Sequence, residues 1–400
     1  MKHLRLALFC AALVLACMLT MVACGGNNTP AETTADTTAA DTTVDTVADT
    51  VADTEAAEVE TTIEDGTTVE DETTLEDGTT AEEETGAGLV SGDYFDDNPE
   101  TPVVINNAAE LMAFHDAINN ADPNEYWFWD ETVIFTADID MTGYEWTPIK
   151  GIMMDNVTFD GQGHTISNLT FQTYKKPYPE APAAELGCGF IDIAVASLTF
   201  KNLTLDSCTI TAHERAVGNF VGLVCAQGEA LISFENCKSS NFTVDGWMDR
   251  NAESKEDLVY ISFRQAGFIG HLMAGATATF KNCVVEDIKL SGYHNMAGFV
   301  GYDGTNTIDE YSFENCSVSG AEFTFSYGMG LSDGKTVETF EKKYVSVFFN
   351  GAEWVDKIDA CVDMGNTYDS ISYYDWFNNN QEYTPADFRS WTGNQEDAAA

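Results

Sequence analysis

The chain has 400 residues, 66 of them acidic and 18 basic, for a formal net charge of −48. Phosphate and uronate would approach against this field, which disfavours nucleic acid and anionic polysaccharide and leaves a neutral glycan, a cation or a basic protein as partners. No CxxC pair or Cys/His cluster has zinc spacing, so no metal or cofactor is expected.

Lys2 and Arg5 precede an uncharged apolar run from Leu6 to Ala23, the layout of a secretory signal over residues 1–23. Met21-Val22-Ala23-Cys24, followed by Gly25-Gly26-Asn27-Asn28, resembles the lipobox of bacterial lipoproteins. That resemblance implies a diacylated Cys24 at the mature N-terminus, and so a lipid anchor on the extracellular face of the bacterial cell membrane. Val14-Leu15-Ala16-Cys17 fits less well because apolar residues follow it. An uncleaved anchor would also tether the chain facing outward.

Residues 24–88 are Thr, Ala, Asp, Glu and Val with almost no aromatics, and cannot bury enough apolar surface to offset the entropy of ordering. A disordered tether is expected. Residues 61–72 and 73–84 form a tandem twelve-residue repeat. Residues 25–90 carry 19 acids and no bases, so like-charge repulsion should stretch the segment. Taking those 19 from the chain's 66 leaves 47 acids against 16 bases in residues 91–400.

Residues 89–400 open with the apolar strand Val103-Val104-Ile105. Asn107 and Glu110 then have capping-box spacing, and Leu111, Phe114 and Ile118 share a helical face, which predicts one amphipathic helix. Thereafter short β-branched and aromatic runs are broken by Gly, Asn and Asp, the signature of many short strands. Four units begin at Gly189-Phe190-Ile191-Asp192, Asn219-Phe220-Val221-Gly222, Gly267-Phe268-Ile269-Gly270 and Gly298-Phe299-Val300-Gly301. Each leads to a second block: Phe200-Lys201-Asn202-Leu203, Phe234-Glu235-Asn236-Cys237, Phe280-Lys281-Asn282-Cys283 and Phe313-Glu314-Asn315-Cys316.

Strand alternation holds on both sides of this second block, yet its Phe and its Cys or Leu are three residues apart. Both can face one interior only if the intervening Asn breaks the alternation by adopting the left-handed conformation, which Asn tolerates. Asn202, Asn236, Asn282 and Asn315 would then stack as an amide ladder. The fold class expected is all-β, a right-handed parallel β-helix whose coils bury their faces against one another, with one N-terminal capping helix and a preceding disordered tether. The repeats would occupy about 188–325 and a C-terminal cap about 326–400.

Leu111 to Ile118, Ala137-Asp138-Ile139-Asp140-Met141, Trp146-Thr147-Pro148-Ile149 and Phe159 to Leu169 resemble the N-terminal coils of bacterial surface β-helix proteins, and the later Gly-Phe-Val-Gly units resemble their GLUG repeats. The resemblance implies display and binding and carries over no catalytic residue. Departures are Asp192 at the final Gly of the first unit, Lys150 where Gly is usual, and insertions at 172–187 and 246–264.

Cys188, Cys208, Cys225, Cys237, Cys283, Cys316 and Cys361 cannot all pair within one chain. Secretion favours disulfides, whereas the shared phase of Cys237, Cys283 and Cys316 favours buried thiols. Among chemical motifs, His164 is the tempting acid/base residue, but its setting in Gly-Gln-Gly-His-Thr-Ile reads as a turn. Asp303-Gly304-Thr305-Asn306 with Asp309 and Glu310 lacks EF-hand spacing and reads as a solvated acidic turn.

Aromatic residues give the binding hint. Trp127 and Trp129 fall on one face if extended, Tyr144 lies in the following region, and Trp247 with Arg250 sits in the second insertion. Trp146 and the later Tyr373-Tyr374-Asp375-Trp376-Phe377 read as core and as a cover for the last coil. The function expected is a non-catalytic, lipid-anchored surface protein for adhesion or for binding a glycan or cell-surface protein. The rivals are a carbohydrate-active β-helix enzyme, either polysaccharide lyase or glycoside hydrolase, and a structural envelope protein. The sequence gives no ground for an oligomeric state.

Overall fold

The structure is a computed structural model. It describes residues 101–122, 128–171, 187–211, 216–225, 230–245, 264–273, 276–292, 295–303, 311–325, 346–349, 361–362, 365–375 and 381–383. Cys24, Trp127, Trp247 and Arg250, the tether, and the acidic turn from Gly304 to Glu310 lie outside the described residues.

The described strands build a parallel β-helix. Each full coil passes through five short strands in a fixed order, and strands of successive coils pair in parallel with their counterparts. The first face runs from Val103–Ile105 through Thr132–Phe135, Val157–Asp160, Leu198–Lys201, Leu231–Glu235 and Thr277–Lys281 to Tyr311–Glu314. The second face holds Ile139–Asp140 to Thr367–Asp369, and the third holds Thr170–Phe171 to Ser372–Asp375. The fourth, Gly187–Cys188 to Met296–Ala297, and the fifth, Ile191–Ala194 to Val300–Asp303, have four strands each. A parallel neighbour in the same sheet needs a long crossover, and here the crossover is the rest of the coil.

Two corners turn without loops because one residue in each takes a positive φ. Between the first and second faces these are Asn202, Asn236, Asn282 and Asn315, with φ of 52°, 54°, 51° and 54°. Their amides form a ladder: Asn315 Nδ2 donates to Asn282 Oδ1 at 3.3 Å, Asn282 to Asn236 at 3.0 Å, and Asn236 to Asn202 at 3.0 Å. Asn202 in turn donates to Asp160 Oδ1 at 3.1 Å. The corner between the second and third faces repeats the device with Asn168, Ser207, Asn241, Asp287, Gly320 and Ser370.

The interior is organised by the phenylalanines of the two repeat blocks. Phe159, Phe200, Phe234, Phe280, Phe313 and Phe349 form one column, with successive centroids 4.9–5.6 Å apart and ring planes within 2–11° of parallel. Phe220, Phe268 and Phe299, from the Gly-Phe-Val-Gly block, form a second column at 4.7 and 5.0 Å. The columns meet edge to face, as Phe234 does with Phe220 at 75° and with Phe268 at 84°. Offset stacks within columns and edge contacts between them satisfy both favoured geometries of the aromatic quadrupole.

Helix α1 (Ala108–Asn120) covers the N-terminal end. Asn107 Oδ1 accepts from Glu110 N at 2.9 Å, and Glu110 Oε2 accepts from Asn106 N at 2.7 Å, one residue earlier than a standard capping box would place it. The buried face of α1, including Leu111, Phe114 and Ile118, seals the first coils, and Phe114 packs on Phe128 at 5.5 Å.

At the other end the coils continue beyond 325. Ser346–Phe349 pair backbone atoms with Met296 to Val300, and Thr367–Asp369 and Ser372–Asp375 extend the second and third faces. Tyr373 is therefore a buried core residue stacked on Phe323 at 5.3 Å. The short antiparallel strand Gln381–Tyr383 closes that edge of the third face.

Candidate functional site

The connection from the fifth face to the first runs only from 3 to 7 residues, while that from the third face to the fourth varies most in length. Its five passages are residues 172–186, 212–215, 246–263, 293–295 and 326–345, of 15, 4, 18, 3 and 20 residues. All five leave and re-enter the coil at the same two faces. Eight of the sixteen basic residues of 91–400 fall in them: Lys175, Lys176, Arg215, Arg250, Lys255, Lys335, Lys342 and Lys343. The same connections carry ten acidic residues, so they are close to neutral in a strongly acidic chain.

Of the aromatic candidates, Trp129 and Tyr144 are on the surface, 39% and 40% exposed. They do not meet in the topology. Trp129 lies in the strand Phe128–Trp129 that leads into the first face, and Tyr144 sits in the turn between the second-face strand Ile139–Asp140 and the Trp146 bridge to Phe171 on the third. Strand alternation leaves open whether Phe128 or Trp129 faces inward, and it is Phe128 that is buried. Trp146 is buried, stacked on Phe190 at 5.6 Å and tilted against the His115 ring at 4.7 Å.

His164 is held in its turn. Asp138 Oδ1 accepts from Thr165 N at 2.9 Å and pairs with His164 Nδ1 at 3.2 Å, and the carboxyl is pulled below its ordinary range chiefly by that backbone N–H, then by His164. Both Asp138 oxygen contacts thus fix the corner rather than present a reactive pair.

Asp192 explains its own departure from the repeat. In the later units the final glycine of Gly-Phe-Val-Gly lies against a fourth-face strand of the coil before it: a Cβ on Gly222 would come 2.2 Å from Cys188 N, and one on Gly270 2.4 Å from Val217 N. The coil before Asp192 has no fourth-face strand and offers the tight turn Gly151–Met153 instead. Asp192 Oδ1 accepts from Gly151 N at 2.9 Å and from Ile193 N. Asp192 is half-buried by area, but its carboxyl is enclosed, and burial pushes it up to about 7 against the lowering effect of those N–H groups and of Lys150. Lys150, the second departure, donates from Nζ to Asn119 O at 2.6 Å and ties the end of α1 to the same junction.

A buried His271 was not singled out by the sequence. Arg264 Nη1 approaches its Nδ1 at 3.1 Å, which makes Nδ1 the acceptor and places the proton on Nε2. Burial, then the Arg264 charge, hold His271 well below the usual imidazole range, so it is neutral. Arg264 also lies over the Tyr302 ring, 4.6 Å from its centroid.

The cysteines are core. Cys208, Cys237, Cys283 and Cys316 are buried free thiols, and Cys283 and Cys316 direct Sγ at Phe234 O and Phe280 O of the preceding coil at 3.5 and 3.4 Å. Contact with Cys237 pushes the Cys283 thiol up to about 12, and burial does the same for Cys208. Such thiols are poor nucleophiles. Cys225 is also buried. Among the described residues no group of three or more His, Cys, Asp or Glu side chains is arranged to hold a metal ion, and no helix is long and apolar enough to cross a membrane.

No family model matches the chain, and no curated protein does. Among solved structures it is similar to the crystal structure of a "putative immunoglobulin A1 protease" from Bacteroides ovatus, at 14% identity and a TM-score of 0.34, over 72% of this chain and 80% of that one. The chain is a parallel β-helix on the register of its own strands.

Proposed function

We propose that this chain is a non-catalytic surface protein that displays its β-helix for adhesion or for binding a glycan or cell-surface ligand, anchored to the extracellular face of the bacterial membrane through a lipid on Cys24. The observation that carries the reading is the corner between the third and fourth faces, where three of the five connections reach 15 residues or more. In solenoids, insertions confined to one face mark the binding face, since the rigid coils position loops that vary freely. Trp247 and Arg250 belong to one of these connections.

The test is the full chain on a glycan array, with a parallel assay for released sugar. Saturable binding without product supports the proposal. Product whose release stops when one carboxylate is replaced would make the chain an enzyme, and silence in both assays would leave a protein ligand or an envelope role. Mass spectrometry of the mature chain tests the anchor: an unmodified Cys24 or a retained Met1 refutes it.

A further inference from the structure

We propose that Arg264, His271 and Tyr302 form an acid-sensitive latch at the junction of the fourth and fifth faces, which holds the point where the 246–263 connection rejoins the coil and releases it as pH falls. This goes beyond the surface-binding reading and stands without it. Ile193, Leu223, His271 and Tyr302 are in register on the four strands of the fifth face. On the fourth face Ala216 pairs with Arg264. In the earlier coils the two rows meet as apolar packing: Ile193, Leu223 and Ala216 belong, with Val195 and Cys225, to a small cluster separate from the core of the coil. One coil later the same positions are His271 and Arg264, and the contact is polar. Arg264 Nη1 donates to His271 Nδ1 at 3.1 Å, the His271 and Tyr302 rings are 5.0 Å apart, and the Arg264 guanidinium covers Tyr302 at 4.6 Å. Each of the three side chains therefore touches the other two. Arg264 opens the strand Arg264–Ala266 directly after the connection, so the latch sits on its return end.

A proton cannot be added to His271 without breaking the latch. Nδ1 accepts from Arg264, so an imidazolium would set two donors against each other and place a second cation beside the first, in a site where His271 is 4% exposed. On this side the strands packed on Ile269–Leu272 bring Leu223, Ala216, Arg264 and Tyr302, with no carboxylate among these described residues, and Asp303 is in register with Leu272 instead. Burial, then the Arg264 charge, favour the neutral ring, whereas an opened latch returns His271 to water and to its ordinary value of 6.5. Protons thus bind the open form in preference to the closed one. The latch is at full strength above about pH 6.5, and below that its opening gains about tenfold for each pH unit until the closed form itself takes up a proton.

Hydrogen exchange of the full chain, corrected for the intrinsic effect of pH on exchange, tests the latch. Amide protection over Arg264–Ala266 and Ile269–Leu272 should fall by about fivefold or more between about pH 6.5 and pH 5.5, while protection over Thr277–Lys281 on the first face holds. His271→Leu restores the side chain that Leu223 supplies one coil earlier, and should remove this fall without loss of stability at neutral pH. Nitrogen NMR of the histidine rings reads the unaltered chain: His271 should stay neutral, with its proton on Nε2, through the same range. Protection in the parent that is unmoved by pH, a fall that persists in His271→Leu, or a His271 that titrates at its ordinary value in the closed chain would overturn the proposal. The glycan array bears on the surface-binding reading and not on the latch, so the two fail separately.

Discussion

Asn219 Nδ2 donates to Ser239 Oγ at 2.9 Å inside the coil, where both side chains are fully buried. Asn219 occupies the first glycine position of its Gly-Phe-Val-Gly unit, and Ser239 replaces the apolar residue found opposite it in other coils. In the next coils a Cβ at Gly267 would already lie 3.2 Å from Val285 Cγ1, and one at Gly298 2.7 Å from Val318 Cγ2. The asparagine is tolerated because its partner is small and polar, and the serine is satisfied because its partner donates.

A double-mutant cycle should expose this coupling. Asn219→Gly leaves a void beside a buried hydroxyl, and Ser239→Val crowds the amide and leaves it only the longer bond to Leu205 O, at 3.4 Å; each should cost about 1–3 kcal/mol. The pair together restores the pattern of the neighbouring coils and should cost at least 1 kcal/mol less than the two added, a coupling of ordinary size for contacting residues. Additive losses in urea denaturation would refute the pairing.

Phe234 touches four other rings, two stacked and two edge-on. Phe234→Ala should cost about 3–5 kcal/mol, the range for large-to-small changes in a packed core. Phe234→Leu should recover part of that loss. Equilibrium unfolding of the two variants side by side checks the order.

For Asn236 the backbone and the amide make separable contributions. Asn236→Gly keeps the left-handed corner at no steric cost but removes the ladder bonds to Asn202 and Asn282, while Asn236→Ala removes the bonds and also strains φ 54°. The alanine variant should therefore be less stable than the glycine variant, by about 1 kcal/mol. If the glycine variant is the weaker of the two, the left-handed backbone is not what sets the cost at this corner.

Asp192 predicts a pH dependence with a definite sign. Its carboxyl is held at about 7 in the fold against an ordinary value of 3.8. Between those values the native state binds more protons than the unfolded one, so stability is highest at the acid end and is lost as pH rises toward 7. Asp160 and Asp206, held below the ordinary range where desolvation is outweighed by amide, hydroxyl and lysine partners, act oppositely and only at lower pH. Buried His271, held below the imidazole range, acts in the opposite sense as pH falls, so Asp192 is read from the difference between parent and variant: between pH 5 and pH 8 the parent should lose more stability than Asp192→Asn.

The legible part of the fold is the part written in one residue type. The first corner can be read because Asn recurs at a fixed phase where strand parity breaks. The second corner uses Asn168, Ser207, Asn241, Asp287, Gly320 and Ser370, residues alike only in tolerating or locally compensating a positive φ, so no letter marks it. The last coil escapes for a similar reason: Gly365, φ 86°, and the buried Asn366 replace the Asn-Cys pair, and Asn366 meets backbone groups of Phe313, Cys316 and Cys361 with its side chain. The interleaving of the two phenylalanine columns depends on which residues the coil brings opposite each other. The register that pairs Trp129 with Asp155 is equally hidden, because those residues are 26 apart in a coil that lacks the later repeat signature.

The uneven connections between the third and fourth faces have a consequence for how such a chain can diverge. Doubling a flexible loop adds only about 0.6 kcal/mol of closure entropy, whereas one residue added within a strand would swap its inward and outward side chains. Codons gained or lost at that corner leave every aromatic stack and backbone ladder in place. A lineage carrying this scaffold can therefore change what it touches by insertion and deletion, without having to rediscover how to fold.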